Sequence, residues 1–402
     1  MNSSRIAARV KRIKPSPSTS AADRANELRR AGKQIVSLVV GEPDFDTPAH
    51  IRQAAAAAME KGATRYTLMA GTVDLRQAIA AKLKRENGLV YALDEIIATN
   101  GAKSAIYSAF AVTLEPGDEV IIPAPYWVSY PDMTLACDGT PVIVPCSEAQ
   151  GFKLTAAQLE AAITKRTRWL LINSPSNPTG ASYTADEYRA LAGVLARHPH
   201  VMVMTDDIYE HIRYDSANAP HLLAVAPELR ERTLAINGVS KTYAMTGWRI
   251  GWIAGPSDLV EAINTLLSQS AGNCCSISQA AATAALDGDQ SFVGKSVAIY
   301  QQRRDATLPL INAIPGLSCK APDGAFYLYV NCGGLIGKTT PDGKRLNTDG
   351  DVVLYFLESA GVALVAGTAY GLSPYFRLSI ATDIETLTDG VERLARAVSN
   401  LR

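Results

Sequence analysis

The sequence predicts an α/β chain: a doubly wound, mostly parallel sheet joined to a smaller α+β unit built from both termini. Three observations lead there. From about residue 48, helix-like stretches alternate with short apolar runs. Those runs are nearly continuous rather than alternating, as strands buried on both faces are. A length of 402 residues also exceeds what one small core requires.

In chain order, Ser16–Ser20 (SPSTS) is rich in Pro and Ser and is expected to be an extended arm. Ala21–Ala31 has helical composition, and Ile35–Val40 reads as a strand ending at Gly41-Glu42-Pro43. Ile51–Lys61 and Val73–Asn87 read as helices. Sheet strands are expected at Glu119–Pro123, Pro141–Pro145, Trp169–Asn173, Val201–Asp206 and Thr233–Asn237, with Ala181–Arg197 among the crossover helices. The sheet unit should end near Gly288. A helix over Ser296–Ile314 then leads to strands near Ala325–Asn331 and Tyr375–Ser379. These boundaries divide the chain into a large unit, 48–295, and a smaller one, 1–47 with 296–402. No internal repeat is present.

Lys+Arg and Asp+Glu stand at 39 each, so no bulk field draws the chain to nucleic acid or an anionic membrane. No apolar run approaches the roughly 20 residues that span a bilayer. The basic residues of Met1–Lys14 are followed by no apolar h-region, so a secretory signal is not expected. Cysteines 137, 146, 274, 275, 319 and 332 lack metal or disulfide-framework spacing, which predicts reduced thiols in the cytoplasm. Cys274-Cys275 reads as two packed thiols. Histidines 50, 198, 200, 211 and 221 suggest no metal cluster. A dehydrogenase is disfavoured, because no strand is followed by GxGxxG with an acid about 20 residues on.

In open α/β sheets the ligand crevice lies at the carboxyl ends of strands. The expected strand 169–173 runs into Ser174-Pro175-Ser176-Asn177-Pro178-Thr179-Gly180. The next ends in Asp206-Asp207-Ile208-Tyr209, and the one after in Gly238-Val239-Ser240-Lys241, with Arg249 eight residues on. Pyridoxal 5′-phosphate (PLP) chemistry explains this set. Its aldehyde needs an amine, which Lys241 offers. Its ring nitrogen needs a carboxylate partner to stay protonated, and Asp206 suits that place. Tyr209 and Asn177 can hydrogen-bond the phenolic oxygen. The phosphate needs backbone N–H groups at a helix start and a fixed cation. Asn100-Gly101-Ala102-Lys103, opening a helix expected over Ser104–Leu114, fits the first need, and Ser240 and Arg249 the second. Asp207 reads as structural.

Five motifs, SNPTG, TDDIYEH, SKTYAMTGWRIG, GEPDFDTP and PYWVSYP, stand here in order. With them the chain resembles the fold-type I, class I aminotransferases, closest to the bacterial aspartate aminotransferase branch Iγ, from Lys14-Pro15-Ser16 to Arg377-Leu378-Ser379. The resemblance implies a seven-stranded PLP-transferase sheet, with Lys241 as cofactor-bonding lysine and proton shuttle, and Asp206, Tyr209 and Asn177 in the roles above. It implies Trp127 stacked on the cofactor ring, Gly101, Ala102, Ser240 and Arg249 at the phosphate, and Tyr66 reaching the phosphate from a second subunit. It further implies Arg377 on the substrate α-carboxylate, helped by Asn177 and the Gly41 backbone, and a homodimer with shared sites.

The same branch meets a dicarboxylic side chain with a lysine after a glycine pair. Lys103 matches that position and is expected to act across the dimer interface, while Lys14-Pro15-Ser16 is expected to fold over the substrate. Both favour L-aspartate with 2-oxoglutarate. Gly101-Ala102 replaces the usual glycine pair, however, Ser104 and Ser108 replace Gln and Asn, and Met69-Ala70-Gly71-Thr72 differs from the usual loop. Ser270–Ser276 reads SAGNCCS where relatives carry Thr or Ser and a proline. Prephenate, aromatic or other amino acids therefore remain alternatives, as do β-elimination and decarboxylation. A regulator built on the same fold would need a DNA-binding extension and is not expected.

Overall fold

The structure, a computed structural model, describes residues 5–215 and 220–402; residues 1–4 of the expected smaller unit and 216–219 of the larger one lie outside them. The strands are β1 (Val36–Ser37), β2 (Ile96–Thr99), β3 (Glu119–Ala124), β4 (Thr140–Pro145), β5 (Thr167–Asn173), β6 (Met202–Asp206), β7 (Thr233–Gly238), β8 (Gly251–Ala254), β9 (Tyr327–Asn331), β10 (Val362–Ala363), β11 (Val365–Ala366) and β12 (Tyr375–Ser379).

Seven of these form one sheet in the order β2-β8-β7-β6-β5-β3-β4. Only β8 runs against its neighbours. Successive side chains point to opposite faces, and both faces are buried. Ile97, Ile122, Ile236 and Ile253 pack with Ile106, Phe110 and Leu267 on one face. Ile96, Ile121, Leu170 and Val203 pack with Ile79, Leu83, Leu191 and Ala281 on the other. Double burial is why the strands read as continuous apolar runs. β2 and β8, four residues each, were not among the strands expected from sequence.

Helix boundaries follow local chemistry. Helix Val73–Asn87 starts where the Thr72 side chain accepts from the Leu75 N–H and stops at left-handed Gly88. Helix Ala102–Thr113 begins two residues before the expected Ser104, because Gly101, at φ +89°, turns the chain into it. The crossover helix is shorter than expected, Ala185–Leu195, with Thr184 as its cap. The arm expected over Ser16–Ser20 is a correction: Pro17 opens a helix running to Arg30. Proline suits a first helical position, where its missing N–H has no partner to lose.

Beyond the sheet, helix Ser291–Asn312 leads into an antiparallel sheet of order β11-β12-β9. The strand expected over Ile35–Val40 pairs only at Val36–Ser37, parallel to β10. Farther on, the chain leaves the ladder and gives the Val39 carbonyl to Arg377. Both termini thus contribute to this region. Among the described residues, no helix is long and apolar enough to cross a membrane.

Candidate active site

The carboxyl ends of β5, β6 and β7 open onto a cavity of about 330 Å³. Its wall includes Lys241, Asp206, Tyr209, Asn177, Trp127 and Arg377. Ala102, Lys103, Gly41, Ser240 and Arg249 line it as well. Most of the residues singled out in the sequence therefore meet in one place.

Asp206 is the last residue of β6 and is 4% exposed. Tyr130 donates its hydroxyl to Oδ2 at 2.6 Å, and the Ile208 N–H reaches Oδ1 at 3.4 Å. Burial pushes the acid up to about 6; Tyr130 opposes this and the Asp207 charge adds to it. Asp207 itself accepts from Thr205 at 2.6 Å and lies 3.2 Å from His221 Nε2, which fits a structural residue. Lys241 keeps some surface toward the cavity, and its Nζ donates to the Gly41 carbonyl. Desolvation lowers its ammonium to about 8, with Glu42 pulling the other way. A neutral amine is thus accessible near physiological pH.

Tyr209 is buried, its hydroxyl 2.9 Å from that of Tyr327. Burial holds its phenol well above the ordinary value, so it stays a donor. Arg377, on β12 and 2% exposed, donates through Nη1 to Asn177 Oδ1 at 3.1 Å and through Nη2 to Val39 O at 2.6 Å. Its guanidinium lies 4.4 Å from the Tyr327 ring centre and 5.3 Å from that of Tyr370. Its Nε, also buried, has no hydrogen-bond partner among the described residues. Asn177 turns its oxygen to Arg377, which leaves its amide N–H₂ as the donor to offer the cavity.

At the opposite side Arg249 adopts a left-handed backbone, φ 58°, and donates to Thr246 O at 2.9 Å and Asn100 O at 3.2 Å. A Cβ on Gly101 would come 2.5 Å from Arg249 Nη2, so glycine is what lets the guanidinium lie against the helix start. Trp127 is half-buried and meets Tyr130 edge-on at 5.3 Å.

Lys103, expected to act across a dimer interface, lines the cavity of its own chain, with Nζ 4.8 Å from the Trp127 ring centre. It sits in the first turn of the helix opened by Gly101, so its backbone is tied to the same side as Arg249. Desolvation and then Arg249 lower its ammonium below the ordinary value. Tyr66, by contrast, is 97% exposed and does not line its own chain's cavity.

Tyr130 and Tyr327 were missed by sequence reasoning. Tyr130 lies three residues after Trp127, a spacing that puts both on one side of a helical turn. Tyr327 carries no signal of its own, since only the tertiary fold brings β9 to the cavity. A trio not foreseen in the histidine spacing, Glu86, Glu210 and His211, gathers its ligand atoms within 4.8 Å. Lys82 fills it with its own ammonium, bonding Glu210 and lying 3.5 Å from Glu86. Cys274 is buried, its thiol raised to about 12 by burial, whereas Cys275 is exposed.

With this geometry in hand, comparison with known proteins is decisive for the family. Residues 33–394 match the model for aminotransferase class I and II. The aspartate aminotransferase of Rhizobium meliloti (strain 1021) is 50% identical over 395 residues, 98% of this chain and 96% of that one. A probable aspartate/prephenate aminotransferase of Rhizobium leguminosarum bv. phaseoli is 49% identical, covering 97% and 98%. The crystal structure of the Rhizobium meliloti aspartate aminotransferase superposes with a TM-score of 0.97 at 50% identity over the whole of both chains. That of the Thermus thermophilus aspartate aminotransferase with maleate gives 0.92 at 38% identity, covering 98% and 100%. The chain belongs to the class I and II aminotransferases, and it is a transaminating enzyme.

Proposed function

We propose that this aminotransferase uses PLP to exchange the amino group of L-aspartate with 2-oxoglutarate, giving oxaloacetate and L-glutamate. The observation that carries the reading is the convergence of Lys241, Asp206 and Arg377 on one cavity. The residues fit the cofactor. Asp206 is a buried acid with no cation among its hydrogen-bond partners, which suits a protonated ring nitrogen. Gly101 leaves room for the Arg249 guanidinium beside a helix start, which suits a phosphate. Tyr209 and the Asn177 amide would serve the phenolic oxygen, Trp127 the ring face, and Ala102 and Ser240 the phosphate. When bound, PLP supplies the electron sink that stabilises negative charge at the substrate Cα.

The chain's own residues do the rest. Lys241, partly neutral near pH 8, would take the Cα proton and hold it at Nζ. Arg377 meets the α-carboxylate with its planar guanidinium, oriented by Asn177, Val39 and Tyr327. Gly41 keeps this corner open, since a Cβ there would stand 3.2 Å from the Tyr327 hydroxyl. Lys103 is assigned to the distal carboxylate. Relatives named aspartate/prephenate aminotransferases favour prephenate as a second acceptor.

A homodimer is part of this reading. Tyr66, almost fully exposed beside the exposed Leu68, suits a surface that a second copy covers, and from there it would reach the neighbouring phosphate site. The division at 48–295 against 1–47 with 296–402 is supported by the pairing of β1 with β10. Cysteine spacing that suits reduced thiols supports a cytoplasmic place.

The test mixes purified holoenzyme with single amino acids and follows conversion of the bound cofactor to its pyridoxamine form. Aspartate and glutamate should convert it, with turnover requiring an added 2-oxo acid. Keto-acid release without any acceptor would instead establish elimination or decarboxylation. The visible band of the lysine-bound cofactor should vanish in Lys241→Ala, and its persistence would refute the lysine assignment.

A further inference from the structure

Asp206 stands where a ring nitrogen can be met only if the carboxylate is both ionised and correctly turned. Burial works against the first condition, and the neighbouring Asp207 charge does too. Of the two hydrogen bonds the carboxylate accepts from its surroundings, that from the Ile208 N–H is long, 3.4 Å, and that from Tyr130 is short, 2.6 Å. A hydrogen bond to a charged oxygen is among the stronger ones in proteins and favours the anion. Tyr130 is 1% exposed, so its hydroxyl has little access to competing water. It also lies on helix Ser129–Ala136, three residues after Trp127, whose indole its ring meets edge-on at 82°. One short segment thus carries both the ring-stacking indole and the donor that grips the carboxylate.

We propose that Tyr130 is a positioning residue for the reaction: its hydroxyl keeps Asp206 an anion and anchors Oδ2, leaving Oδ1 for the cofactor's ring nitrogen. This rests on the assignment of Asp206 to that nitrogen. Tyr130 lines the cavity, but its hydroxyl is engaged by Asp206. It acts through Asp206, and its removal should move the shared proton from the ring nitrogen onto the carboxylate.

The experiment loads PLP labelled with ¹⁵N in the ring into wild-type and Tyr130→Phe enzyme and compares the nitrogen chemical shifts. Phenylalanine keeps the ring and its packing on Trp127. The wild type should show a protonated nitrogen, and the variant a shift toward the neutral form. The half-reaction with aspartate should slow by about 10- to 100-fold, the range expected for a hydrogen bond to a charge, with the dissociation constant for aspartate unchanged. In an Asp206→Ala background the same substitution should add nothing, because the two residues act as one unit. A nitrogen still fully protonated in Tyr130→Phe, or losses that simply add, overturns the proposal. If Tyr130→Phe does not fold, the wild type still decides: a low-field hydroxyl proton resonance should be present and lost in Asp206→Ala, and its absence overturns the proposal. Should Asp206→Ala leave nitrogen protonation and rate untouched, the assignment of Asp206 fails and this inference falls with it. An effect of Asp206→Ala without one of Tyr130→Phe defeats the Tyr130 role alone.

Discussion

The two ends of the cavity are built differently. At one end, Asp206, Tyr209, Asn177 and Arg377 hold each other or their buried neighbours through hydrogen bonds of 2.6 to 3.1 Å. At the other, Lys103 has only the face of Trp127, at 4.8 Å, with no hydrogen bond or ion pair of its own among the described residues. On the proposed reading the first end is a rigid frame for cofactor and α-carboxylate. The second is a flexible stem carrying one charge, for which the substrate would supply the partner. An enzyme that handles several amino acids through one chemistry needs this division, since reaction geometry must be constant while side-chain recognition varies.

Breaking the rigid end should give the largest effect. Arg377→Ala removes a buried cation that holds the α-carboxylate and also leaves Asn177 Oδ1 and Val39 O without their donor. Truncating one side of such a pairing costs about 2–5 kcal/mol, so kcat/KM should fall roughly 30- to 5,000-fold for every amino acid alike. Steady-state kinetics across aspartate, glutamate and an aromatic amino acid checks this. A loss confined to dicarboxylates would reassign Arg377 to the side-chain end.

The rigid end also carries a stability penalty that a pH series exposes. Asp206 rises from 3.8 to about 6 in the folded chain; at about 1.4 kcal/mol per unit, the buried anion destabilises the cofactor-free fold by about 3 kcal/mol. A raised acid pKa means that the group takes up its proton first in the folded state. The penalty is therefore complete above pH 6, shrinks between 6 and 3.8, and is gone below 3.8. Asp206→Asn should accordingly make the apoenzyme more stable at pH 7–8 while abolishing turnover, with the two melting curves converging near pH 4. Equal stability of the two apoenzymes at pH 8 would mean that the carboxylate is better solvated than its surroundings indicate.

The same contrast explains what could be read in advance. Lys241, Asp206 and Asn177 were legible because each ends or follows an apolar run, and the sheet topology forces such ends together. Arg377 was legible only through family resemblance, since nothing in Phe376-Arg377-Leu378 says that β12 abuts the cavity. Tyr327 was invisible for the same reason: its hydroxyl meets Tyr209 across 118 residues of sequence. Lys103 was legible in its motif, and the fold shows what spacing could not, that the helix opened by Gly101 turns it into its own chain's cavity. The arm over Ser16–Ser20 was misread because Pro was taken as a helix breaker, when at Pro17 it is a helix opener.

Lys103→Ala tests the flexible end and should be the smallest effect. The substitution removes one charge from a site where burial, and then Arg249, already lower its ammonium, and it leaves Trp127, Arg377 and Asp206 in place. A hydrogen bond to a charged group is worth about 1.5–3 kcal/mol, so kcat/KM for aspartate should fall roughly 10- to 150-fold. Monocarboxylic and aromatic amino acids should be unchanged or improved, because they no longer bury an unpaired cation. The ratio of aspartate to phenylalanine activity is therefore the sensitive readout, and it cancels any general damage to the fold. If both substrates fall together, Lys103 serves the cofactor end through Trp127, and the line between rigid frame and adaptable end must be drawn elsewhere in the cavity.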